Sequence, residues 1–176
     1  MEIEIRAEVK NQKKLLSILK KTKGIKFVGI YKEDDRYFKH ATDEARNLVL
    51  RIRRKGEKAM LTFKGKAVGK DTAWPDVDLP LSDPKILEKL FLSNNYVDVV
   101  RIKKERSMFK KGQFEINVDK IDHLGCFVEI EGRGNTKERK NIEESICLLL
   151  ADLGVLKEQI IKKGYVPLML EKKSQK

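Results

Sequence analysis

The sequence has few of the residues that mark secreted, metal-thiolate or nucleophile-based proteins. Only two of its 176 residues are cysteines, Cys126 and Cys147, and their separation matches no zinc-ligand spacing. Both are therefore expected to be small buried hydrophobic residues of a protein in a reducing compartment. The two histidines, His40 and His123, belong to no recognisable triad pattern, so we expect surface or supporting positions for them.

Long apolar runs are missing as well, which excludes a membrane-spanning helix. The first residues are charged rather than signal-like, so we expect a cytoplasmic protein that makes no membrane contact. The length predicts a single domain that is large enough to bury a real core. We assign residues 1–170 to that domain and residues 171–176 to a basic C-terminal tail.

Positive charge, in contrast, is abundant. The formal net charge is +12 and the sequence pI is about 9.6. Such a balance favours a polyanionic ligand, which could be nucleic acid, an anionic surface or a phosphorylated small molecule. Bulk charge does not choose among these three.

Alternation of charged and apolar residues begins in the first ten residues and recurs along the chain. Ile3 and Ile5 would lie on one face of a strand, and Glu2, Glu4 and Arg6 on the other. Taken alone, this pattern is typical of a strand with a solvated outer face. Further strands are predicted over residues 25–31, 48–54, 59–66, 74–79, 96–106, 114–119 and 126–131. Helices are predicted over residues 12–21, 84–92 (capped by Ser82-Asp83-Pro84), 136–153 and 157–163.

The ionic residues on these strands are sorted by sign. Like charges two residues apart on a strand lie roughly 7 Å apart and repel, unless a ligand of opposite sign lies between them. Carboxylates suit Mg²⁺ or Mn²⁺, whereas arginine and lysine suit phosphate oxygens. A sheet curved into a barrel would bring both sets onto one lumen, as a cage for a metal-chelated polyphosphate. The carboxylates are Glu2, Glu4, Glu115, Asp119, Glu129 and Glu131, and the cations are Arg6, Arg51, Arg53, Lys64, Lys104 and Arg106.

The same strands contain a series of short motifs. The first is Glu2-Ile3-Glu4-Ile5-Arg6, and the others are Asp35–Phe38, Leu50–Arg53, Thr62–Gly65, Lys104–Met108, Asp119, Leu124–Glu131 and Gly164–Tyr165. In this order they resemble the CYTH superfamily, which contains class IV adenylyl cyclases and thiamine-triphosphatase-like enzymes. The first motif is similar to the ExExK signature of that family. The resemblance covers nearly the whole chain and is greatest to the class IV cyclase-like branch.

The resemblance implies an α+β fold, namely an eight-stranded antiparallel β-barrel, the triphosphate tunnel, with helices packed outside. It implies that a divalent metal is held by Glu2, Glu4, Glu129 and Glu131, with Asp119 as a further acidic ligand. The triphosphate-binding positions of the family correspond to Arg6, Arg51, Arg53, Lys64, Lys104 and Arg106.

Two positions depart from the family pattern. Arg6 stands where the signature has lysine, which keeps the charge but offers a planar fork of donors. The strand after the Lys64 loop, usually rich in glutamate, contains Asp76 and Asp78, and their role stays open. The resemblance also suggests a homodimer.

These residues predict a metal-dependent enzyme that acts on a nucleoside or organic triphosphate through positioning and charge neutralisation. If the ribose 3′-hydroxyl of ATP attacks the α-phosphorus, the enzyme is an adenylyl cyclase that releases pyrophosphate. If water attacks the terminal phosphorus, it is a triphosphatase that acts on tripolyphosphate, thiamine triphosphate or a nucleoside triphosphate. The cyclase likeness favours the first reaction. The predicted catalytic residues are Glu2, Glu4, Arg6, Arg53, Lys64 and Arg106.

Two interpretations of other classes stay open. A non-catalytic protein could bind RNA, polyphosphate or a signalling nucleotide through residues 103–111 and 51–58. The six carboxylates on three strands disfavour nucleic acid as the partner. In the last interpretation every ionic side chain faces solvent, and Glu129→Ala and Arg53→Ala would change neither the fold nor ligand binding.

Overall fold

The computed structural model describes residues 1–44, 48–65 and 76–174, without the side chains of residues 48, 64, 65, 76 and 77. Its contacts divide the chain into two compact units. Unit 1 comprises Met1–Tyr31 and Lys104–Lys176, and unit 2 comprises Lys32–Lys103. Strands β2 and β6 have residues in both units.

The described residues form nine strands and four helices. The strands are β1 Glu2–Glu8, β2 Lys26–His40, β3 Leu48–Lys55, β4 Lys58–Gly65, β5 Asp76–Leu81, β6 Tyr96–Lys111, β7 Phe114–Ile121, β8 Gly125–Arg133 and β9 Ile160–Ile161. The helices are α1 Gln12–Lys21, α2 Pro84–Ser93, α3 Arg139–Asp152 and α4 Tyr165–Ser174.

In unit 1 the strand order is β6-β7-β8-β1-β9, and neighbouring strands are antiparallel. One face of this sheet is apolar, because the inward positions of each strand alternate with charged ones. Ile3 and Ala7 of β1 are buried there beside Leu19 of α1 and Ile146 of α3. Burial of such a side chain contributes about 1.5–3 kcal/mol, so this layer is a main source of the stability of unit 1.

The contact between α3 and the sheet depends on a glycine in β8. A Cβ atom at Gly132 would lie 2.9 Å from Cγ2 of Ile142 and 3.0 Å from Cε1 of Phe114. That separation is shorter than a carbon–carbon contact allows. Gly132 therefore lets α3 approach the sheet closely and leaves the opposite face to the ionic residues.

In unit 2 the strand order is β5-β4-β3-β2, again antiparallel. Helix α2 covers an apolar cluster formed by Phe38, Leu50, Ile52 and Leu61, with Leu87 and Phe91 packed against it. Asp83 begins the helix, because its carboxylate accepts hydrogen bonds from the backbone N–H groups of Lys85 (2.8 Å) and Ile86 (3.2 Å). The cap predicted at Ser82-Asp83-Pro84 is thereby confirmed, with Asp83 as the capping residue.

The predicted α+β class and antiparallel strands are confirmed, whereas two local predictions are wrong. Residues 157–163 were expected to be helical, but they form a 3₁₀ turn at Lys157–Gln159 and then β9. Cys147 is exposed, because the buried stripe of α3 is formed by other residues, and Cys126 of β8 is only half-buried. Helix α4 continues through Ser174, so four residues of the predicted tail are helical.

One further prediction involves residues that the structure does not describe. The predicted strand 74–79 begins at Trp74 and Pro75, which lie outside the described residues; its described part belongs to β5. Within the described part of the chain, every helix is too short or too polar to cross a bilayer.

Candidate active site

The ionic face of unit 1 is built by the register of three neighbouring strands. Glu4 of β1 lies opposite Glu131 of β8, and Arg6 lies opposite Glu129. Because side chains alternate along a strand, both pairs point to the face opposite the apolar layer. Strand β7 extends the row, since Asn117 lies opposite Glu129.

Three carboxylates of this face are close enough to hold one metal ion. Glu4, Glu129 and Glu131 each offer an oxygen atom, and these atoms lie within 4.8 Å of one another. Burial, together with the neighbouring Glu129, raises the pKa of Glu131 to about 9. A proton therefore balances the crowded carboxylates at neutral pH, and a hard divalent cation could take its place. The donor set fits Mg²⁺ or Mn²⁺.

The other two predicted metal ligands lie outside this group of three. Glu2 is exposed, and its charge contributes to the raised pKa of Glu131. Asp119 is completely buried among donors. It accepts hydrogen bonds from Arg106 Nε and Nη2 (2.7 Å each) and from the Tyr165 hydroxyl (3.0 Å). Lys104 Nζ lies 3.4 Å away. The Asp119 carboxylate is thus surrounded by the cations Arg106 and Lys104, which it can hold in place.

Glu129 links two arginines. Arg6 Nε donates to one of its oxygens at 2.6 Å, and Arg106 Nη2 donates to the other at 2.8 Å. Burial opposes ionisation of this carboxyl, but the charges of Arg6 and Arg106 hold the pKa of Glu129 well below its usual range. Arg6 also donates to Glu4 at 2.8 Å. Cations and the three carboxylates are thus in direct contact on one sheet face.

Unit 2 has an ionic cluster of its own around Arg53. This guanidinium donates to both oxygens of Asp35, at 2.7 and 2.6 Å, and lies 3.5 Å from Glu33. Lys55 Nζ is 3.2 Å from the other oxygen of Glu33. Both carboxylates are buried, with exposed fractions of 3% for Glu33 and 2% for Asp35. The cluster pairs each buried anion with a cation.

Arg51 lies two residues before Arg53 on β3 and has a different partner. Its Nη2 and Nε donate to the hydroxyl of Thr62 at 2.9 and 3.3 Å. That hydroxyl in turn donates to Asp78 at 2.5 Å. Lys64 lies opposite Asp76 in the β4–β5 pair, but both side chains lie outside the described residues.

The structure therefore brings the predicted residues together in two sets, one in each unit. The set in unit 1 is Glu4, Arg6, Lys104, Arg106, Asp119, Glu129 and Glu131, and the set in unit 2 is Arg51 and Arg53.

Four contributing residues had no role in the sequence prediction. Asn117 is fully buried and donates to Glu115 and Glu131 at 3.2 Å each, so it joins two carboxylates. Its place between Glu115 and Asp119 on one face was the available signal. Glu33 likewise shares a face with Asp35. The remaining two residues are Thr62 and Tyr165.

The fold is α+β with antiparallel strands, and one sheet face combines carboxylates with guanidinium groups. Proteins of this class can bind an anion together with its metal ion. Comparison with known families identifies the class: residues 1–165 match the CYTH domain. The chain belongs to the CYTH domain family, as the motif order predicted.

Individual proteins are similar to this chain over most of their length. A candidate adenylate cyclase of Methanocaldococcus jannaschii is 28% identical, over 96% of this chain and 98% of its own. A solved protein of Pyrococcus horikoshii has a TM-score of 0.81 at 23% identity, over 96% of this chain and 99% of its own. A Hippeastrum structure, described as a candidate adenylyl cyclase that reveals a dominant triphosphatase activity, has a TM-score of 0.67 at 15% identity, over 99% and 95%.

Proposed function

We propose that this protein is a divalent-metal-dependent enzyme that acts on a nucleoside or organic triphosphate, with adenylyl cyclase as the first candidate activity. One observation carries the proposal: the Glu4, Glu129 and Glu131 carboxylates touch the Arg6 and Arg106 guanidinium groups on one face of a CYTH domain. A triphosphate with its metal presents both charges at once, and this face offers a partner for each.

Glu4, Glu129 and Glu131 would hold Mg²⁺ or Mn²⁺, with Glu2 two residues before Glu4 on β1. When bound, the ion would neutralise phosphate oxygens and polarise the phosphorus toward attack. Asp119 has both oxygens engaged by Arg106, so we propose that it orients this cation rather than binding metal.

The cations would bind the phosphate chain. Arginine forms paired hydrogen bonds to phosphate oxygens. Carboxylates already orient Arg6, Arg53 and Arg106, and the hydroxyl of Thr62 orients Arg51. Donors that are oriented in advance need no reorganisation during the reaction. This preorganisation supplies much of the rate enhancement in such sites. The proposed phosphate ligands are Arg6, Lys104 and Arg106 of unit 1 and Arg51, Arg53 and Lys64 of unit 2.

Triphosphatase is the second candidate activity. The Methanocaldococcus jannaschii relative is named for cyclase activity, whereas the Hippeastrum structure is described by a dominant triphosphatase activity. The two reactions would use the same ionic groups and differ in the nucleophile. Attack by the ribose 3′-hydroxyl on the α-phosphorus releases pyrophosphate, and attack by water on the terminal phosphorus releases orthophosphate.

Incubation with ATP and, separately, with tripolyphosphate tests the proposal, each with Mg²⁺, with Mn²⁺ and with a chelator. Cyclic AMP with pyrophosphate identifies a cyclase, and metal-dependent orthophosphate identifies a triphosphatase. Glu8→Gln is a matched control for Glu4→Gln, since both glutamates are exposed residues of β1. Absence of turnover together with salt-sensitive RNA binding would overturn the proposal.

We further propose a cytoplasmic location and a single functional domain over residues 1–170, with residues 171–176 dispensable. The low cysteine content supports the location. A homodimer is the proposed assembly, and light scattering on the purified protein measures it directly. Activity of a chain that ends at residue 170 tests the domain boundary.

A further inference from the structure

We propose that Tyr165 is a positioning residue that holds the three phosphate-binding cations of unit 1 in place. The inference rests on the proposed function, because it assumes that these cations bind phosphate. Tyr165 is the first residue of α4 and is 9% exposed. The sequence motif Gly164–Tyr165 gave it no chemical role.

The ring of Tyr165 is in contact with two of the cations. The guanidinium carbon of Arg6 lies 4.4 Å from the ring centroid, and Lys104 Nζ lies 5.5 Å from it. Both distances are within the range in which an aromatic face attracts a cation. The ring of Phe127, 5.3 Å away, packs against Tyr165 and limits its rotation.

The hydroxyl of Tyr165 reaches the third cation through a carboxylate. It donates to Asp119 Oδ2 at 3.0 Å, and the same oxygen accepts from Arg106 Nη2 at 2.7 Å. Asp119 is completely buried, so its orientation decides where the Arg106 guanidinium points. One side chain therefore contacts Arg6 and Lys104 directly and Arg106 through Asp119.

The chain around Tyr165 is bound to β1 independently of the ring. Strand β9 pairs with β1 at Arg6 and Ala7, and Gln159 Nε2 donates to the carbonyl oxygen of Glu8 at 2.8 Å. Arg6 Nη1 also donates to the carbonyl oxygen of Lys163 at 3.5 Å. The start of α4 is thus attached beside the cations, which gives the ring a fixed base.

A role in core packing alone does not account for these contacts. A packing tyrosine needs only apolar neighbours, whereas Tyr165 also contacts two cations and one buried carboxylate. Cations of like sign repel one another, so the ring and Asp119 oppose that repulsion before any phosphate binds. Loss of the ring should weaken phosphate binding even where the fold survives.

The test compares Tyr165→Leu and Tyr165→Phe with matched variants at Tyr96, an aromatic residue of unit 2 that belongs to the Phe91 and His40 cluster. Calorimetry measures binding of tripolyphosphate without metal, and steady-state kinetics separates KM from kcat. Tyr165→Leu should weaken tripolyphosphate binding about tenfold and raise KM similarly, with kcat changed by less than about threefold. Tyr165→Phe keeps the ring and should lose about threefold.

The inference is overturned if folded Tyr165→Leu binds tripolyphosphate as tightly as Tyr96→Leu does. If Tyr165→Leu does not fold, Tyr165→Phe decides: a threefold loss supports the inference and wild-type binding overturns it. A wild-type protein that neither binds nor cleaves tripolyphosphate or ATP would instead overturn the proposed function, so the two failures are distinguishable.

Discussion

Both units place arginines and carboxylates on a sheet face, yet their charge balance differs. In unit 2, Arg53 and Lys55 match the buried anions Asp35 and Glu33. In unit 1, Arg6 and Arg106 share Glu129, and the adjacent Glu131 has its pKa raised to about 9 because burial and Glu129 disfavour a second charge. Unit 1 therefore has carboxylate capacity left for a metal.

The second difference concerns the partners of the cations. Arg53 is fully engaged by a carboxylate, whereas Arg51 donates to the hydroxyl of Thr62. A phosphate would compete with a carboxylate at Arg53 and with a weaker neutral acceptor at Arg51. We therefore expect Arg51 to release its partner to a phosphate more readily than Arg53, and Arg53 to contribute to structural stability as well.

The largest expected effect is that of Glu129→Ala. It leaves two buried guanidinium groups without their shared carboxylate, so the free energy of unfolding should fall by about 3–5 kcal/mol. Urea unfolding measures this change. The control is Glu143→Ala, which breaks an exposed pair with Arg139 and should cost less than about 0.5 kcal/mol. Equal stability of Glu129→Ala and wild type would support solvent-facing charges.

Asp35→Ala is the corresponding change in unit 2 and should lower the free energy of unfolding by about 2–3 kcal/mol, because Glu33 still lies 3.5 Å from Arg53. If the metal site belongs to unit 1, calorimetric Mg²⁺ affinity should be unchanged by Asp35→Ala and reduced by Glu129→Ala. A loss of Mg²⁺ affinity in Asp35→Ala would remove the contrast between the units.

Glu4→Gln should separate activity from stability. The Glu4 side chain is 47% exposed, so the melting temperature should move by only a few degrees. Metal-dependent turnover should fall about 100-fold, or about 2.7 kcal/mol of activation free energy, because one of three carboxylates is lost. Turnover equal to that of the Glu8→Gln control would remove Glu4 from the metal site.

Thr62→Val removes the hydroxyl between Arg51 and Asp78 while it keeps the shape of the side chain. The orientation of Arg51 should loosen, and KM for tripolyphosphate should rise about threefold to tenfold with kcat nearly unchanged. The control is Thr42→Val, at an exposed threonine whose hydroxyl is hydrogen-bonded to His40. A fall in kcat alone would argue against a binding role for Arg51.

The smallest effect is expected for Asp34→Asn. The hydrogen bond from Arg101 is the main cause that lowers the pKa of Asp34 below its ordinary value of 3.8. A lowered carboxyl pKa stabilises the fold above the unfolded value and loses this contribution as the pH falls through the folded value. Arg101 is exposed and Asp34 is half-buried, so Asp34→Asn should cost at most about 0.5 kcal/mol at pH 7, and less at about pH 3, which lies below the ordinary pKa. Thermal unfolding at both pH values measures the difference.

Much of the fold could be predicted from local patterns. Period-two alternation identified β1, β3, β7 and β8, because one face of each strand must be apolar for the sheet to bury it. The cap at Ser82-Asp83-Pro84 could also be predicted, because the first backbone N–H groups of a helix need a nearby hydrogen-bond acceptor. The two-residue strand β9 was not, because it exists only through its pairing with β1.

The candidate site was predictable in its composition and much less in its pairings. The ionic face, the sign of its residues and the motif order that indicates the CYTH family are all present in the printed sequence. The ion-pair and hydrogen-bond partners of these residues cannot be predicted from the sequence. Asp119 carries the charge expected of a metal ligand, but it is surrounded by Arg106, Lys104 and the Tyr165 hydroxyl.

The sequence by itself thus determined which faces are ionic and which family the chain belongs to, because both depend on residue order along single strands. Only the tertiary structure decided that Glu4 meets Glu131, that Glu129 joins Arg6 to Arg106, and that Tyr165 contacts Arg6. These contacts join residues more than 100 positions apart, or depend on strand register. A shift of one residue in the register of β1 would move Glu4 and Arg6 to the other face of the sheet.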